Sequence, residues 1–357
     1  MLSVLGFDIG GANTKAAFVK TETGVIKELR SASKYFPVWK NPKGLYNVLM
    51  ELVATVKAGE AIDAVGITMT AELSDAYTTK REGVYQILAE VERVFPDAAV
   101  FVLNVEGGLL MVEEARAEPL KVAAANWAAT GWLVSQLIRN CIVVDIGSTS
   151  TSLIPIVDGA VVATGMSDLE KLVNCELLYT GCLRTNVAAI VKAVPVRMGV
   201  ARVSSELFAT SGDIHLILGN ITSEEFTGET ADGREKTRSN SLARLARVVC
   251  ADSETLSEEE IVQIAQFVYS RQVELVADCL RQVYERVKQS GKRDFSALVT
   301  GLGKRFLASK AAEKVGFKNI ADFDDLVPGN VSKASTAVGL AFMVASKLEG
   351  GVVKWKQ

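Results

Sequence analysis

The feature that most constrains the fold is a strand–turn–strand pattern that occurs twice in the chain. The first copy, LGFDIGGANTK at positions 5–15, is an apolar run that carries one carboxylate, Asp8, and ends in Gly10-Gly11. The second copy, CIVVDIGSTSTSLIP at positions 141–155, repeats the apolar run, the carboxylate at Asp145 and a turn of small residues after Gly147. Recurrence of a whole unit at a separation of 137 residues predicts two related α/β lobes whose carboxylates face a shared cleft.

Both turns have the composition of a phosphate-binding hairpin. Glycine has no side chain, so backbone N–H groups there can come within hydrogen-bond distance of phosphate oxygens. Asp8 at the strand end would face the same space and could hold Mg²⁺ through water. A single Gly-Gly hairpin with one aspartate is also typical of an ordinary turn, and it is the recurrence that favours phosphate binding.

The composition sets limits on size, partners and location. The 357 residues suffice for two domains with sizeable cores, and 49% of them are hydrophobic. The formal net charge of −3 provides no basic field for nucleic acid, so we expect no nucleic-acid partner. No apolar run is long enough to span a bilayer and no signal segment is evident, so we expect a cytoplasmic protein that binds no membrane. The five cysteines form no CxxC pair, which disfavours a zinc site or a disulfide framework.

Hydrophobic periodicity predicts the remaining elements. We expect one long helix at 119–138, a strand at 315–320 and a helix of small residues from position 332. Ser257 and Glu260 form a capping-box pattern at the start of a long amphipathic helix. His215, the only histidine, lies in the run SGDIHLILG, which predicts a strand with the imidazole on its polar face and a structural role.

Two further segments have the character of binding loops. The loop TAELSDAYTTKREG at 70–83 follows a short buried strand and contains Glu72, Asp75, Lys80 and Arg81. Loops that leave the carboxyl ends of strands line the ligand crevice of open α/β sheets, so a substrate or pyrophosphate contact competes here with a solvated surface loop. The strand–GxG–helix pattern ALVTGLG at 297–303 is weak evidence for nucleotide binding by itself.

The strings FDIGGANTK, VVDIGSTSTSL and VTGLGKRFL resemble the phosphate-1, phosphate-2 and adenosine motifs of the acetate and sugar kinase/Hsp70/actin superfamily. The resemblance implies an α/β fold with two ribonuclease-H-like lobes around a central cleft. The first lobe would span 1–138, with a C-terminal helix at about 332–357 as a candidate to pack back on it. The second lobe would span 139–331, with a helical insertion at about 168–290.

The same resemblance assigns site residues position by position. Asp8 and Asp145 match the paired metal-facing aspartates, which implies Mg²⁺ as cofactor. The first phosphate loop corresponds to Gly10, Gly11, Asn13 and Lys15, and the second corresponds to Gly147, Ser148, Thr149 and Ser150. The nucleotide turn corresponds to Gly301 and Gly303.

Longer strings are similar to a more specific family. GFDIGGANTKAA, TMTAELSDAYTTKREGV, AAANWAATGW, VDIGSTSTSLIPI and YTGCLRTNV resemble an archaeal family distantly related to hydantoinase/oxoprolinase proteins, whose better-defined members act in methanofuran biosynthesis. This resemblance implies a transferase that condenses 5-(aminomethyl)furan-3-ylmethyl diphosphate with γ-glutamyltyramine. The product would be (4-{4-[2-(γ-L-glutamylamino)ethyl]phenoxymethyl}furan-2-yl)methanamine, an aryl–furfuryl ether, formed with release of pyrophosphate.

Such a reaction places two demands on the site. The diphosphate leaving group needs neutralisation, for which the glycine-rich turns and Mg²⁺ are joined by the candidate cations Lys15, Lys80, Arg81 and Arg184. The phenol, with an unperturbed pKa of about 10, needs a base, and the position of the 70–83 loop makes Asp75 and Glu72 the candidates.

Two other functions stay open at this stage. An ATP-dependent small-molecule kinase or hydantoinase-like hydrolase would bind adenine nucleotide tightly, although the catalytic aspartate of sugar kinases has no clear match here. A nucleotide-binding regulatory protein is the other alternative, against which no helix-turn-helix with a basic recognition helix is evident. The partners expected are small-molecule substrates, and a homodimer is left open.

Overall fold

A computed structural model describes residues 1–57, 59–289, 291, 294–329 and 331–355. The chain divides into two compact units. The first unit comprises Met1–Val143, Ile154–Asn174 and Phe323–Gln357. The second comprises Val144–Leu153 and Cys175–Asp322, so the division passes through two strands of one sheet.

The strands of the described residues are, in chain order, β1 (Leu2–Ile9), β2 (Asn13–Glu22), β3 (Val25–Tyr35), β4 (Ala64–Met69), β5 (Ala99–Leu103), β6 (Leu109–Met111), β7 (Cys141–Ile146), β8 (Thr151–Val157), β9 (Ala160–Val161), β10 (Leu177–Leu178), β11 (Ala193–Val196), β12 (Gly199–Arg202), β13 (Ser296–Thr300), β14 (Ile320–Asp322) and β15 (Lys354–Trp355).

The α-helices are α1 (Leu45–Lys57), α2 (Lys80–Val94), α3 (Val112–Ala117), α4 (Pro119–Val122), α5 (Asn126–Ser135), α6 (Asp168–Val173), α7 (Val187–Ile190), α8 (Ser211–Ile217), α9 (Arg238–Arg247), α10 (Glu258–Lys288), α11 (Ser309–Val315), α12 (Phe323–Leu326) and α13 (Ser335–Glu349). Short 3₁₀ turns occupy Pro42–Gly44, Ala71–Leu73 and Ser332–Ala334, and a π-helical turn occupies Lys304–Ala308. Within the described ranges, no helix combines the length and the apolar character needed to cross a membrane.

The first sheet places the first hairpin at its centre. Its strand order is β15-β3-β2-β1-β4-β5-β6. Strands β1, β2 and β3 are antiparallel neighbours, whereas β4 runs parallel to β1 and β5 runs parallel to β4. The register sets Asp8 opposite Lys15 on β2 and opposite Thr68 on β4. Side chains directly opposite each other share one face of a sheet, so these three polar groups form a row.

Helix α13 packs on this sheet at two strand glycines. A Cβ atom on Gly6 would lie 2.2 Å from the Ala337 carbonyl oxygen, and one on Gly66 would lie 2.8 Å from Leu340 Cγ. The opposite flank of α13 approaches α5 just as closely, because a Cβ on Gly339 would lie 2.4 Å from the Ala129 carbonyl oxygen. The helix is buried along most of its length by this close approach.

The second sheet has the order β10-β8-β7-β13-β14, with β9 paired to β8. Strands β13 and β14 are parallel, and β10 is antiparallel to β8. A separate apolar cluster of the second unit joins α8, α9 and the first half of α10. Helix α10 begins with the predicted capping box, since the Ser257 hydroxyl accepts from the Glu260 N–H and the Glu260 carboxylate accepts from the Ser257 N–H.

Several predicted elements are wrong in detail. The helix expected at 119–138 is two helices, α4 and α5, because Ala124 adopts φ +53° and Ala123 forms an isolated bridge with Met69. The strand expected at 315–320 begins only at β14, since α11 runs to Val315 and Gly316 caps it in the left-handed region at φ +97°.

Two predicted helical regions contain strands. The insertion expected to be helical at about 168–290 holds α6 to α10 but also β10 and the antiparallel hairpin of β11 and β12. The helix expected at about 332–357 ends at Glu349, and the chain then adds β15 beside β3. Positions 356 and 357 of that prediction lie outside the described residues.

We expect Gly6→Ala to lower the free energy of unfolding by about 1–3 kcal/mol, the usual cost of overpacking a core. The new methyl group would overlap the backbone of α13. Urea unfolding measures the change, with Gly351→Ala as the matched control because no atom lies within 4 Å of a Cβ there. Equal stability of the two variants would contradict the close approach of α13 to β1.

Candidate active site

Asp8 is a buried carboxylate with a partner on only one of its oxygens. It lies near the end of β1 with 3% of its surface exposed, and the Lys15 ammonium lies 3.0 Å from Oδ2. Oδ1 is buried and makes no hydrogen bond with the described residues. A buried polar atom without a partner is costly, so Oδ1 marks a place where water or a ligand would bind.

The turn after Asp8 is held by backbone hydrogen bonds. The Gly10 N–H donates to the Asn13 carbonyl at 3.1 Å, which closes the turn between β1 and β2. The segment after β3 fastens it from the side, since Val38 N–H donates to the Gly11 carbonyl at 2.9 Å. The space where a Gly11 Cβ would lie is open to 4 Å, so a ligand can approach the backbone there.

Glu72 is the most deeply buried carboxylate among the predicted site residues. It follows β4 in the turn Ala71–Leu73, is 1% exposed, and neither of its oxygens makes a hydrogen bond with the described residues. Burial raises the pKa of Glu72 to about 8, an effect that the positive charge of Lys80 partly offsets. Gly83 permits this packing, because a Cβ at that position would lie 2.6 Å from Glu72 Cα. Glu72 is therefore poised to hold or release a proton near neutral pH.

The other polar residues of the 70–83 loop have partners or surroundings of their own. The Lys80 ammonium lies 2.9 Å from Oδ2 of Asp168, at the start of α6. Arg81 is exposed, and its guanidinium contacts the Tyr85 hydroxyl at 3.4 Å. Asp75 is exposed in the loop that precedes α2. The described contacts connect neither Asp75 nor Arg81 to Asp8.

The second hairpin repeats the turn of the first. The Gly147 N–H donates to the Ser150 carbonyl at 3.0 Å, as Gly10 does to Asn13, and each glycine lies two residues after the strand carboxylate. The sequence repeat is thus also a repeat of hydrogen bonding. Ser148, Thr149 and Ser150 are half-buried on this turn, and Asp145 is half-buried before it.

A buttress loop, residues 180–185, supports the second hairpin. Three of its backbone N–H groups donate to carbonyl oxygens of the hairpin: Cys182 to Gly147 at 3.0 Å, and Leu183 and Arg184 to Ser148 at 2.9 and 3.2 Å. A Cβ on Gly181 would lie 2.6 Å from the Thr149 carbonyl carbon, so glycine alone fits. The exposed Arg184 side chain donates from Nη1 to the Thr149 hydroxyl at 3.3 Å.

The nucleotide-type turn lies against the same strand end. A Cβ on Gly301, where φ is +83°, would lie 2.6 Å from Asp145 Oδ1, and the Gly303 N–H donates to the Ile146 carbonyl at 3.0 Å. The second unit therefore brings together Asp145, the 147–150 turn, Arg184 and the glycines of the third motif. Lys304, which follows that motif and is 8% exposed, lies 2.5 Å from Asp322 Oδ1.

His215 and Gln272 are two buried polar residues of the second unit. The sequence interpretation placed His215 in the wrong element and did not single out Gln272. His215 lies in helix α8 and is fully buried, so the predicted strand with an imidazole on a polar face is wrong. Gln272 is fully buried on the apolar face of α10, and its side chain reaches the buttress loop. A glutamine in register with Ile261, Ile264, Val268 and Val276 is the sequence signal that could have identified it.

The described residues contain no group of three or more histidine, cysteine, aspartate and glutamate side chains clustered for a metal ion. Mg²⁺ is, however, commonly bound through one or two carboxylates with several waters retained. The unpartnered Oδ1 of Asp8 fits a site of that kind.

The two sheets and their repeated hairpins define a class of protein. A nucleotide-free structure of acetone carboxylase, from work on ATP-dependent acetone carboxylation, matches with a TM-score of 0.62 at 11% identity, covering 96% of this chain and 70% of that one. This likeness shows the fold alone. The chain shares the mixed α/β fold of that structure, which confirms the predicted α/β fold class.

Sequence relatives narrow the class to a family. A family model described as hydantoinase/oxoprolinase matches residues 63–347. The (4-{4-[2-(γ-L-glutamylamino)ethyl]phenoxymethyl}furan-2-yl)methanamine synthase of Methanocaldococcus jannaschii is 36% identical over 349 residues, covering 98% of this chain and 99% of the relative. The synthase of the same name from Methanococcus vannielii is 36% identical over 218 residues, 60% of this chain and 96% of the relative. The chain belongs to the hydantoinase/oxoprolinase family and, within it, to the family of these two synthases.

We expect Glu72→Gln to weaken the dependence of stability on pH. The folded protein retains the Glu72 proton up to about pH 8, whereas the unfolded chain releases it near pH 4.5, so the wild-type free energy of unfolding falls as pH rises through that window. Glutamine does not titrate and removes this contribution. Urea unfolding at pH 5, 6, 7 and 8 measures it, and the exposed Glu113→Gln is the control. If the free energy of unfolding has the same slope against pH in Glu72→Gln and Glu113→Gln, the pKa of Glu72 is not raised by folding.

Proposed function

We propose that this protein condenses 5-(aminomethyl)furan-3-ylmethyl diphosphate with γ-glutamyltyramine and releases pyrophosphate, as a transferase of methanofuran biosynthesis. The observation that carries the proposal is the 36% identity to the Methanocaldococcus jannaschii synthase along 98% of this chain. That relative's name states the ether product. The glycine-rich hairpins of both units are consistent with a diphosphate substrate.

The reaction exchanges one C–O bond for another. The bond between the furfuryl carbon and the diphosphate breaks, and its electron pair leaves with the diphosphate. The furan ring stabilises the positive charge that develops on the carbon, and the phenol oxygen forms the new ether bond while its proton goes to a base. No phosphoryl group is transferred, so ATP is not required.

The hairpin residues would stabilise the leaving group. The proposed diphosphate donors are backbone N–H groups of the 10–13 and 147–150 turns other than those of Gly10 and Gly147, which donate within the turns. Gly10 and Gly147 would serve by letting the ligand approach the backbone, and Lys15 and Arg184 would add positive charge near their own turns. Lys80 and Arg81 remain proposed diphosphate contacts, and Lys80 would exchange its partner Asp168 for the ligand. Asp8 and Asp145 are the proposed Mg²⁺ ligands. When bound, Mg²⁺ supplies further positive charge that stabilises the departing diphosphate.

Glu72 is the proposed proton acceptor for the phenol. A base transfers protons most efficiently when its pKa lies near that of the acid and near the working pH. The pKa of Glu72, raised by burial to about 8, is closer to the phenol value of about 10 than that of an ordinary carboxylate. Asp75 is the second candidate because it lies in the same loop.

Pyrophosphate release in the absence of ATP tests the function. Purified protein is incubated with Mg²⁺, the furfuryl diphosphate and γ-glutamyltyramine, and both pyrophosphate and the coupled ether are quantified. We expect the two products in equal amounts. ADP formation that depends on the phenol and on added ATP would instead support the kinase or hydrolase alternative.

We expect Asp8→Asn and Asp145→Asn each to reduce turnover by at least about a hundredfold, the scale of losing one key electrostatic group. Initial rates of pyrophosphate release measure the loss, and circular dichroism confirms the fold. The exposed Asp97→Asn serves as control and should retain the wild-type rate. Near-normal rates in both hairpin variants would refute the assignment of these carboxylates.

The choice of base predicts a pH profile. A base must be deprotonated, so wild-type turnover should rise with pH and level off above about pH 8, where Glu72 is ionised. Glu72→Gln should lower kcat by about a hundredfold or more and remove the rise. Asp75→Asn should keep the wild-type pH profile. If Asp75→Asn instead removes the rise with pH and Glu72→Gln keeps it, Asp75 is the base.

A further inference from the structure

Gln272 is a polar side chain that the second unit buries completely. It lies on α10 between Val268 and Val276, which are fully buried too. A buried amide is costly unless its donors and acceptor are all paired. The hydrogen-bond partners of the Gln272 amide therefore indicate the role of this residue.

Those bonds reach the buttress loop. Gln272 Nε2 donates to the Gly181 carbonyl at 2.9 Å and to the Thr180 hydroxyl at 3.0 Å. A carbonyl only accepts, so the amide nitrogen must face the loop and the amide oxygen must face His215. Gln272 thus donates a hydrogen bond to Gly181, the residue whose backbone packs against Thr149 of the second hairpin.

His215 fixes the orientation of this amide. Its Nε2 lies 3.1 Å from Gln272 Oε1 and must donate, which leaves Nδ1 to accept from the Asn220 amide at 3.2 Å. The ring is confined by Tyr269 and Phe306, with ring centroids 5.9 and 4.7 Å away. Burial lowers the pKa of His215 to about 4, so the neutral form with hydrogen on Nε2 persists at neutral pH.

Hydrogen bonds also connect residues within the buttress loop. The Gly181 N–H donates to the Thr185 hydroxyl at 3.0 Å, and the hydroxyls of Thr180 and Thr185 lie 3.3 Å apart. Thr151, at the start of β8, donates from its hydroxyl to the Thr180 carbonyl at 2.8 Å. Through these bonds, and through the N–H groups of 182–184 that donate to the second hairpin, the buttress loop connects Gln272 with the 147–150 turn.

We infer that Gln272, oriented by His215, is a positioning residue for diphosphate binding, which it serves by holding the buttress loop against the second hairpin. The inference rests on the proposed function, in which that hairpin binds the diphosphate. Gln272 touches no reacting atom in this scheme. The competing interpretation is that the pair only satisfies polar groups in the core and contributes to stability alone.

The two interpretations predict different effects on substrate binding, because only a positioning role weakens binding of the diphosphate and leaves binding of the phenol unchanged. Gln272→Met keeps the length and burial of the side chain but removes all its hydrogen bonds. We expect the KM for the furfuryl diphosphate and the Kd for inorganic pyrophosphate, measured calorimetrically with Mg²⁺, each to rise about tenfold, the scale of one lost hydrogen bond. The KM for γ-glutamyltyramine should stay within about twofold. Gln263→Met, exposed on the same helix, is the control.

A lower Tm with both diphosphate constants unchanged would overturn the inference. If Gln272→Met fails to fold, Thr180→Val and Thr180→Ser form a second pair, because serine retains the hydroxyl that accepts from Gln272 and valine does not. We expect valine to weaken pyrophosphate binding and serine to restore it. Equal binding by these two variants would also refute the positioning role.

Pyrophosphate binding separates this inference from the proposed function. If the wild type binds pyrophosphate but forms no ether, the proposed reaction is wrong, while weaker pyrophosphate binding by Gln272→Met still supports the positioning role. A wild-type protein that binds no pyrophosphate would overturn both.

Discussion

The second unit depends on backbone segments that meet without room for a Cβ atom. The strand end at 145–146 and the turn that follows are enclosed by Gly181 on one side and by Gly301 and Gly303 on another. Residues far apart in the sequence are thereby joined to one strand end by hydrogen bonds between backbone carbonyl and N–H groups. Donors fixed in advance need no reorganisation when charge develops on a leaving group, which is the main requirement of electrostatic catalysis.

The two hairpins share a turn but differ in their cation. In the first copy Lys15 belongs to the hairpin itself and pairs with Asp8 across the strands. The equivalent position in the second copy is Ser152, and there the nearby cation, Arg184, comes from the buttress loop. In the first copy the cation thus pairs with the strand carboxylate, whereas in the second copy it donates to a hydroxyl of the turn. The repeat has thus diverged in electrostatics while conserving its backbone.

The sequence predicted the backbone of the site better than its side-chain partners. Repetition of the DIG strings located both turns and the fold class, because glycine spacing and strand alternation are local properties. The salt bridge of Lys80 joins residues 88 apart in the chain, for which no local pattern exists. The apolar neighbours of His215 predict a strand, although Asp213, whose carboxylate accepts from the Thr210 N–H, is a helix-start signal. Burial of Glu72, and hence its pKa, depends on Gly83 and is visible only in three dimensions.

The packing of α13 on the first sheet has a consequence for how the protein is made. Strands β1 and β4 present glycines to a helix that lies more than 260 residues later in the chain. A ribosome therefore releases the N-terminal strands long before the helix that covers them exists. Contacts of such high sequence separation form slowly and leave apolar sheet surface exposed meanwhile. Docking of α13 on β1 and β4 is therefore a late step in assembly, which follows the synthesis of every described segment of the second unit.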